Sequence, residues 1–277
     1  MSEIKFGVSP AFLLSKFGEG FTPEQVCEAF THIKQLGFDC YQAEIVTEDK
    51  LSLWLNGGAR KVREAADRIG LSMSQFVAHF MLEAFKNEDA VLSSYGIAEM
   101  NQVFDITSVL KEGTPITVPF GSYPEKGNKQ IYLAMVEKMR IIAEEAERRG
   151  FPLAIEVQPG ALIKGADGIR QFADDVGYHT GYNLDTGHAW ASGYDVVQYP
   201  QILHGYIYGT HLCDNDGITN LSLRPGSSTI QFEKLLPQLL KSGYSSSLDL
   251  EIFTSPDKTD EEYTEGLAYI KGKISRQ

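Results

Sequence analysis

Apolar and polar residues along this chain fall into two kinds of block, and the blocks alternate. Short runs dense in β-branched and aromatic residues follow longer stretches whose apolar residues recur every three or four positions. The junctions are marked. In QLGFDCYQAEI, RIGLSMSQFVAHF, KEGTPITVPF, RRGFPLAIEV, DVGYHTGYNL, LHGYIYGTHL and KSGYSSSLDLEIF, a helix-like segment stops at a glycine (Gly37, Gly70, Gly113, Gly150, Gly177, Gly205, Gly243). A strand-like segment begins within a few residues. Glycine suits that place because helices commonly end on a residue at positive φ, where a Cβ is strained. With IKFGVSP as an opening strand, the pattern predicts eight strands.

The segments between them read as amphipathic helices. In YLAMVEKMRIIAEEAERRG, residues Tyr132, Met135, Met139, Ile142 and Ala146 form one apolar face, opposite Glu144, Glu145, Arg148 and Arg149. In FTPEQVCEAF, Thr22 caps, Pro23 fits the first helical position and Gln25 completes a capping box. Pro237, inside STIQFEKLLPQLLKSG, predicts a kink or a break. The longest irregular stretch, between about 81 and 112, reads as a helix behind an extended entry loop. Eight strands alternating with helices in 277 residues predict a closed (β/α)8 barrel of one domain, spanning 1–277. An open doubly wound sheet is the alternative, but the first strand runs into GVSPAFLL rather than a Gly-rich dinucleotide fingerprint.

Composition narrows the setting. The net charge of −12 works against a phosphate backbone as partner, so no nucleic acid is expected. No stretch approaches the ~20 apolar residues of a membrane helix, so no membrane association is expected. The N-terminal stretch lacks the pattern of a secretory signal. Three scattered cysteines (Cys27, Cys40, Cys213) suit a reducing compartment, and a cytoplasmic location is expected.

In a (β/α)8 barrel the active site lies at the C-terminal ends of the strands. Ionisable residues fall there: Glu44 on strand two, His79 on strand three, Glu156 on strand five, Asp185 with His188 on strand six, His211 with Asp214 on strand seven, and Glu251 on strand eight. In TGYNLDTGHAWASG, Asp185 suits either a turn at a strand's end or a metal site. Glu156 and Glu251 sit inside apolar runs, where an unpaired carboxylate is costly to bury. Structural salt bridges would account for them, yet the flanking strands offer almost no cations. A cation shared by Glu156, Asp185, His211 and Glu251 explains all four together. One nitrogen with three carboxylates favours Mn²⁺ or Mg²⁺ and also accommodates Co²⁺ or Zn²⁺. His188 is read as a second ligand, a substrate contact or a satisfied core histidine, with a substrate contact favoured. His79 is divided between core and pocket, and Asp214 between orienting His211 and a plain turn. Arg224, in LSLRPGSS, is a candidate for substrate oxygens or simply an exposed loop residue.

AIEVQ around Glu156, NLDTGH with Asp185 and His188, THLCDND with His211 and Asp214, LDLEIF with Glu251, and RPGSSTIQFEKLLPQLLKSGY resemble the xylose isomerase-like TIM barrels. That group includes sugar isomerases, epimerases and inosose dehydratases, and the resemblance covers nearly the whole chain. It implies that Glu156, Asp185, His211 and Glu251 bind one divalent metal and that His188 touches substrate, as Arg224 would in a ketose epimerase. Two departures lie near the substrate mouth: Cys213 stands where the family's strand-seven motif has Lys, and PGSS stands for its Pro-Gly-x-Gly. The implied activity is isomerisation or epimerisation of a small carbohydrate by proton transfer next to a carbonyl, through an enediolate, with Glu156 and Glu251 handling the proton. An inosose-type dehydratase and a non-catalytic sugar-binding barrel are the alternatives. Endonuclease IV shares the fold, but its histidine-rich three-metal cluster fits poorly with six histidines, several of them helical. A homo-oligomer is compatible with the sequence and not specified by it.

Overall fold

The computed structural model describes residues 4–123 and 129–274, so the first three residues of the N-terminal stretch read above lie outside it. Its eight strands are β1 (Phe6–Val8), β2 (Cys40–Ile45), β3 (Ser72–Ala78), β4 (Ile116–Phe120), β5 (Leu153–Val157), β6 (Thr180–Asp185), β7 (Ile207–His211) and β8 (Leu248–Leu250). Each pairs in parallel with its sequence neighbour from β1 to β7, and β8 pairs with β1. Just past the end of β7, Leu212 N–H donates to Asp249 C=O at 2.8 Å and Glu251 N–H donates to Leu212 C=O at 3.0 Å. These bonds join the two ends of the sheet, and the open-sheet alternative is excluded.

All seven junction glycines have positive φ, between 70° and 94°. The helix–glycine–strand rhythm therefore has the backbone cause proposed for it. Helix Lys129–Arg148 buries Met135, Met139, Ile142 and Ala146, with Tyr132 half-buried beside them. Helix Pro23–Gln35 opens with Thr22 N–H donating to Gln25 Oε1 at 2.9 Å.

Two expectations are corrected. Helix Phe232–Lys241 runs through Pro237 without a break. Buried Leu235, Leu236 and Leu239 anchor it on both sides of the proline, so packing outweighs the one missing hydrogen bond. The stretch before helix Ile97–Leu110 is not an extended loop but a 3₁₀ turn, His79–Phe85, and a short helix, Glu88–Leu92. Lys138 gathers this stretch. Its Nζ donates to the carbonyls of Ala90 (2.6 Å), Tyr95 (3.1 Å) and Ala84 (3.3 Å).

No helix of the described residues is long and apolar enough to cross a membrane. The three cysteines are free.

Candidate metal centre

Strand register brings the ionisable residues together. Asp185 and His211 are direct partners across β6 and β7. Glu156 lies on β5, and Glu251 follows β8 by one residue. All four are buried, none more than 9% exposed. His211 Nδ1 stands 2.6 Å from Glu251 Oε2, 2.8 Å from Glu156 Oε2 and 3.9 Å from Asp185 Oδ2. His188, in the first turn after β6, places Nε2 3.4 Å from Asp185 Oδ2 and 3.7 Å from Glu156 Oε1. Donor atoms of Asp185, His211 and Glu251 lie within 4.8 Å of one another, as do those of Glu156, Asp185 and His188.

Three buried carboxylates in one place must be compensated. Burial pushes the Asp185 carboxyl up to about 7, with His188 opposing and Glu251 and Glu156 adding to the rise. Burial opposes charge on Glu156 too, but the neighbouring His211 and His188 and the Asn183 amide outweigh it and hold it at about 2. For His211, burial disfavours the cation while Glu251 and Glu156 favour it, and the carboxylates win, lifting it well above the imidazole range. Among the described residues, the only positive charge in the site is thus a proton on a histidine. Asp185 Oδ2 is buried without a hydrogen-bond partner, and Glu251 Oε2 and His211 Nδ1, 2.6 Å apart, satisfy each other only while the ring carries a proton on Nδ1. A divalent ion satisfies all three atoms, and the donor set of one nitrogen and carboxylate oxygens fits a hard or borderline ion.

The site opens into a cavity of about 300 Å³. Pro10, Leu14, Val77, Leu221 and Phe253 form apolar walls, while Glu44, His79, Gln158, Asn220 and Ser222 add polar groups. His79 is therefore a pocket residue, its Nδ1 3.1 Å from Glu44 Oε1. Burial holds the Glu44 carboxyl up, against the pull of His79. Arg224 is not among the cavity's lining residues. Its guanidinium pairs with Glu262 at 3.0 Å and with Glu265.

Asp214 does not orient His211. Its buried carboxylate accepts the backbone N–H groups of Asn215, Ile230, Ser228 and Gly226 at 2.8–3.0 Å. That clamp shapes the loop carrying Asn220, whose Oδ1 lies 3.0 Å from His188 Nδ1. Cys213 is buried with Sγ 3.7 Å from Asp185 Oδ1. Burial, then Asp185 and Glu251, lift its thiol well above the usual range, so it is no ready thiolate.

The chain belongs to the xylose isomerase-like TIM barrel family, whose model matches residues 30–273. No curated protein sequence matches it. Among solved structures, L-ribulose 3-epimerase is similar over 99% of this chain and 95% of its own, with TM-score 0.79 and 16% identity. The 3-keto-D-glucoside 4-epimerase YcjR from E. coli, in apo form, matches over 98% and 100%, with TM-score 0.75 and 18% identity. The IOLI protein with a bound zinc atom matches over 98% and 96%, with TM-score 0.76 and 20% identity. At these identities the likeness is one of fold.

Proposed function

We propose that this protein is a divalent-metal-dependent isomerase or epimerase of a small carbohydrate, acting by proton transfer next to a carbonyl. The observation that carries the reading is the meeting of Glu156, Asp185 and Glu251 around His211 Nδ1 beside the cavity. Two of the similar structures are sugar epimerases and a third holds zinc, which supports the same reading. When bound, the cation would supply Lewis acidity, making the carbon next to a carbonyl more acidic. Mn²⁺ or Mg²⁺ is preferred, with Co²⁺ or Zn²⁺ as substitutes.

Glu156 and Glu251 approach from strands three positions apart around the barrel, each able to take or return a proton at a carboxylate oxygen. His188 and His79 contact substrate hydroxyls from the cavity wall. Arg224 joins them only by releasing Glu262 and Glu265. Among the described residues no lysine or arginine lines the cavity, which favours an uncharged sugar over a phosphorylated one. Three free cysteines, two of them buried, accord with a cytoplasmic setting.

The test is to incubate metal-loaded protein with free ketoses, ketose phosphates and inososes and to follow products by NMR. Turnover of a free ketose to its epimer or aldose supports the reading. Dehydration of an inosose would shift it to a dehydratase on the same residues, and no turnover of any compound would leave a binding barrel.

A further inference from the structure

Two glutamine amides meet the same ring nitrogen of His211 and ask opposite things of it. Gln42 Oε1 lies 2.8 Å from Nε2, and Gln75 Nε2 lies 3.1 Å from it. What holds their other ends sets their orientations. Gln42 Nε2 donates to Asp249 Oδ2 at 2.8 Å, which turns its carbonyl toward the ring. Asn183 Nδ2 donates to Glu156 Oε2 at 2.6 Å, so Asn183 Oδ1 is left to accept from Gln75 Nε2 at 3.0 Å. Thr117 Oγ1 then donates to Gln75 Oε1 at 3.1 Å. A chain of amides ending on a carboxylate runs in one direction, because the carboxylate accepts. Gln42, Gln75, Thr117, Asn183 and Asp249 are all buried, so water cannot substitute for these partners.

Gln42, as an acceptor, requires the proton on Nε2 and leaves a lone pair on Nδ1. Gln75, as a donor, favours a lone pair on Nε2 and a proton on Nδ1. Nδ1 is the atom facing Glu156, Glu251 and Asp185. With a lone pair there, the neutral ring is a metal ligand; with a proton there, it is not. Resting on the metal reading above, we propose that Gln42 is a positioning residue that selects the Nε2–H form of His211 against Gln75, making Nδ1 the ligand atom. Gln42 holds the shorter contact, and Asp249 prevents its amide from flipping.

The test uses Zn²⁺ as probe, calorimetry for affinity and two-bond ¹H–¹⁵N NMR of the zinc-loaded protein for the ring nitrogens. Wild type should show Nδ1 bound and Nε2 protonated. Gln42→Met should weaken Zn²⁺ binding about 10–100-fold, the scale for losing a partner that orients a ligand. Gln42→Glu combined with Asp249→Asn keeps an acceptor at the ring and a donor beside it and should recover most of that affinity, while Gln75→Met, which removes the opposing donor, should cost clearly less than Gln42→Met. Circular dichroism and melting curves identify any variant that fails to fold, and the remaining pair then decides. Equal losses in Gln42→Met and Gln75→Met, a loss in Gln75→Met alone, or zinc on Nε2 in wild type overturns the proposal. Wild type taking up no zinc, manganese or other dication brings down the metal reading and this proposal with it. Tight binding by both wild type and Gln42→Met brings down this proposal alone.

Discussion

Asp185 Oδ1 accepts the backbone N–H of His188 at 2.8 Å, so the last residue of β6 also caps the helix that follows it. The turn and the metal site were competing readings of this aspartate, and one oxygen serves the cap while the other, Oδ2, faces the cluster without a hydrogen-bond partner. The two duties separate by substitution. Asn is as good a cap as Asp, so Asp185→Asn should leave the metal-free protein about as stable as wild type while sharply weakening dication binding. Asp185→Ala should lose the cap as well, at a cost of about 1 kcal/mol. Melting curves of chelated protein beside metal titrations check both. A large stability loss in Asp185→Asn would mean that the cluster is structural.

The two histidines near the cluster have different prospects. His211→Ala removes the atom that lies within 2.8 Å of both glutamates and should abolish specific dication uptake. His188→Ala should keep the ion and lose turnover, since the ring is also held toward the cavity by Asn220. Elemental analysis of the two variants after gel filtration decides it, and the reverse pattern would exchange the roles assigned here.

Stability of the metal-free protein should fall as pH rises. Asp185, lifted by burial to about 7, binds a proton in the folded state at pH values where the unfolded chain has released it. Its contribution is therefore full below about pH 4 and is lost as pH climbs toward 7. His211 and His188 are also raised, against the effect of burial, by the carboxylates around them. Their contributions are full below the unfolded value of about 6.5 and are lost as pH rises through their higher folded values, so the signs agree. Glu156 has the opposite sign, but its loss occurs as pH falls from about 4.5 toward 2, outside this window. Metal binding displaces these protons, so dication affinity should rise over the same interval. At 100 times its Kd the ion should stabilise the fold by about 2.7 kcal/mol. Melts at pH 5.5 and 8, with and without chelator, test this; a metal-free protein more stable at pH 8 would refute it.

The barrel and the upper ring of ionisable residues were legible because both leave one-dimensional traces: a glycine at each helix end and an acid inside an apolar run. The layer beneath was not read, though its trace is just as regular. Gln42, Asn183 and Asp249 each stand two residues before a residue named from the sequence, Glu44, Asp185 and Glu251 respectively. Alternation along a strand puts such pairs on one face, here the barrel interior. A buried glutamine or asparagine carries no charge to signal that it needs a partner, so it passes as a neutral strand residue; Asp249, an acid in the same apolar run as Glu251, carried that signal and was overlooked. The role of Asp214 was missed for another reason. Its four backbone partners come from residues 215–230, and no spacing rule predicts which loop folds back on a carboxylate.

Gly209 makes room for that lower layer. A Cβ there would collide with the Gln75 and Asn183 side chains, although the glycine's φ is not among the positive ones. Gly209→Ala should therefore cost about 1–3 kcal/mol by overpacking. It should also weaken dication binding, because Asn183 is the group that holds Glu156. Denaturant unfolding and metal titration measure the two effects. A variant as stable as wild type with unchanged affinity would show that the amide layer yields easily.

The glutamates carry the last prediction. Gln in place of Glu156 or Glu251 keeps an oxygen near its position but removes the base. Dication binding should persist in weakened form while turnover drops by about 10²–10⁴-fold, the usual contribution of a general acid–base group. The two variants should differ in D₂O. With a true ketose substrate, wild type should place deuterium on the carbon next to the carbonyl. If one glutamate removes the proton and the other returns one on the opposite face, one Gln variant should still exchange that proton without completing epimerisation, and the other should do neither. Glu156 is held by both His211 and Asn183, whereas among the described residues Glu251 pairs with His211 alone, and both glutamates line the cavity. The carboxylate with fewer contacts is the better candidate for reaching substrate first, so Glu156→Gln should be the variant that still exchanges. NMR of the recovered substrate reads the label directly. Equal, near wild-type turnover in both variants would remove the pair from the mechanism.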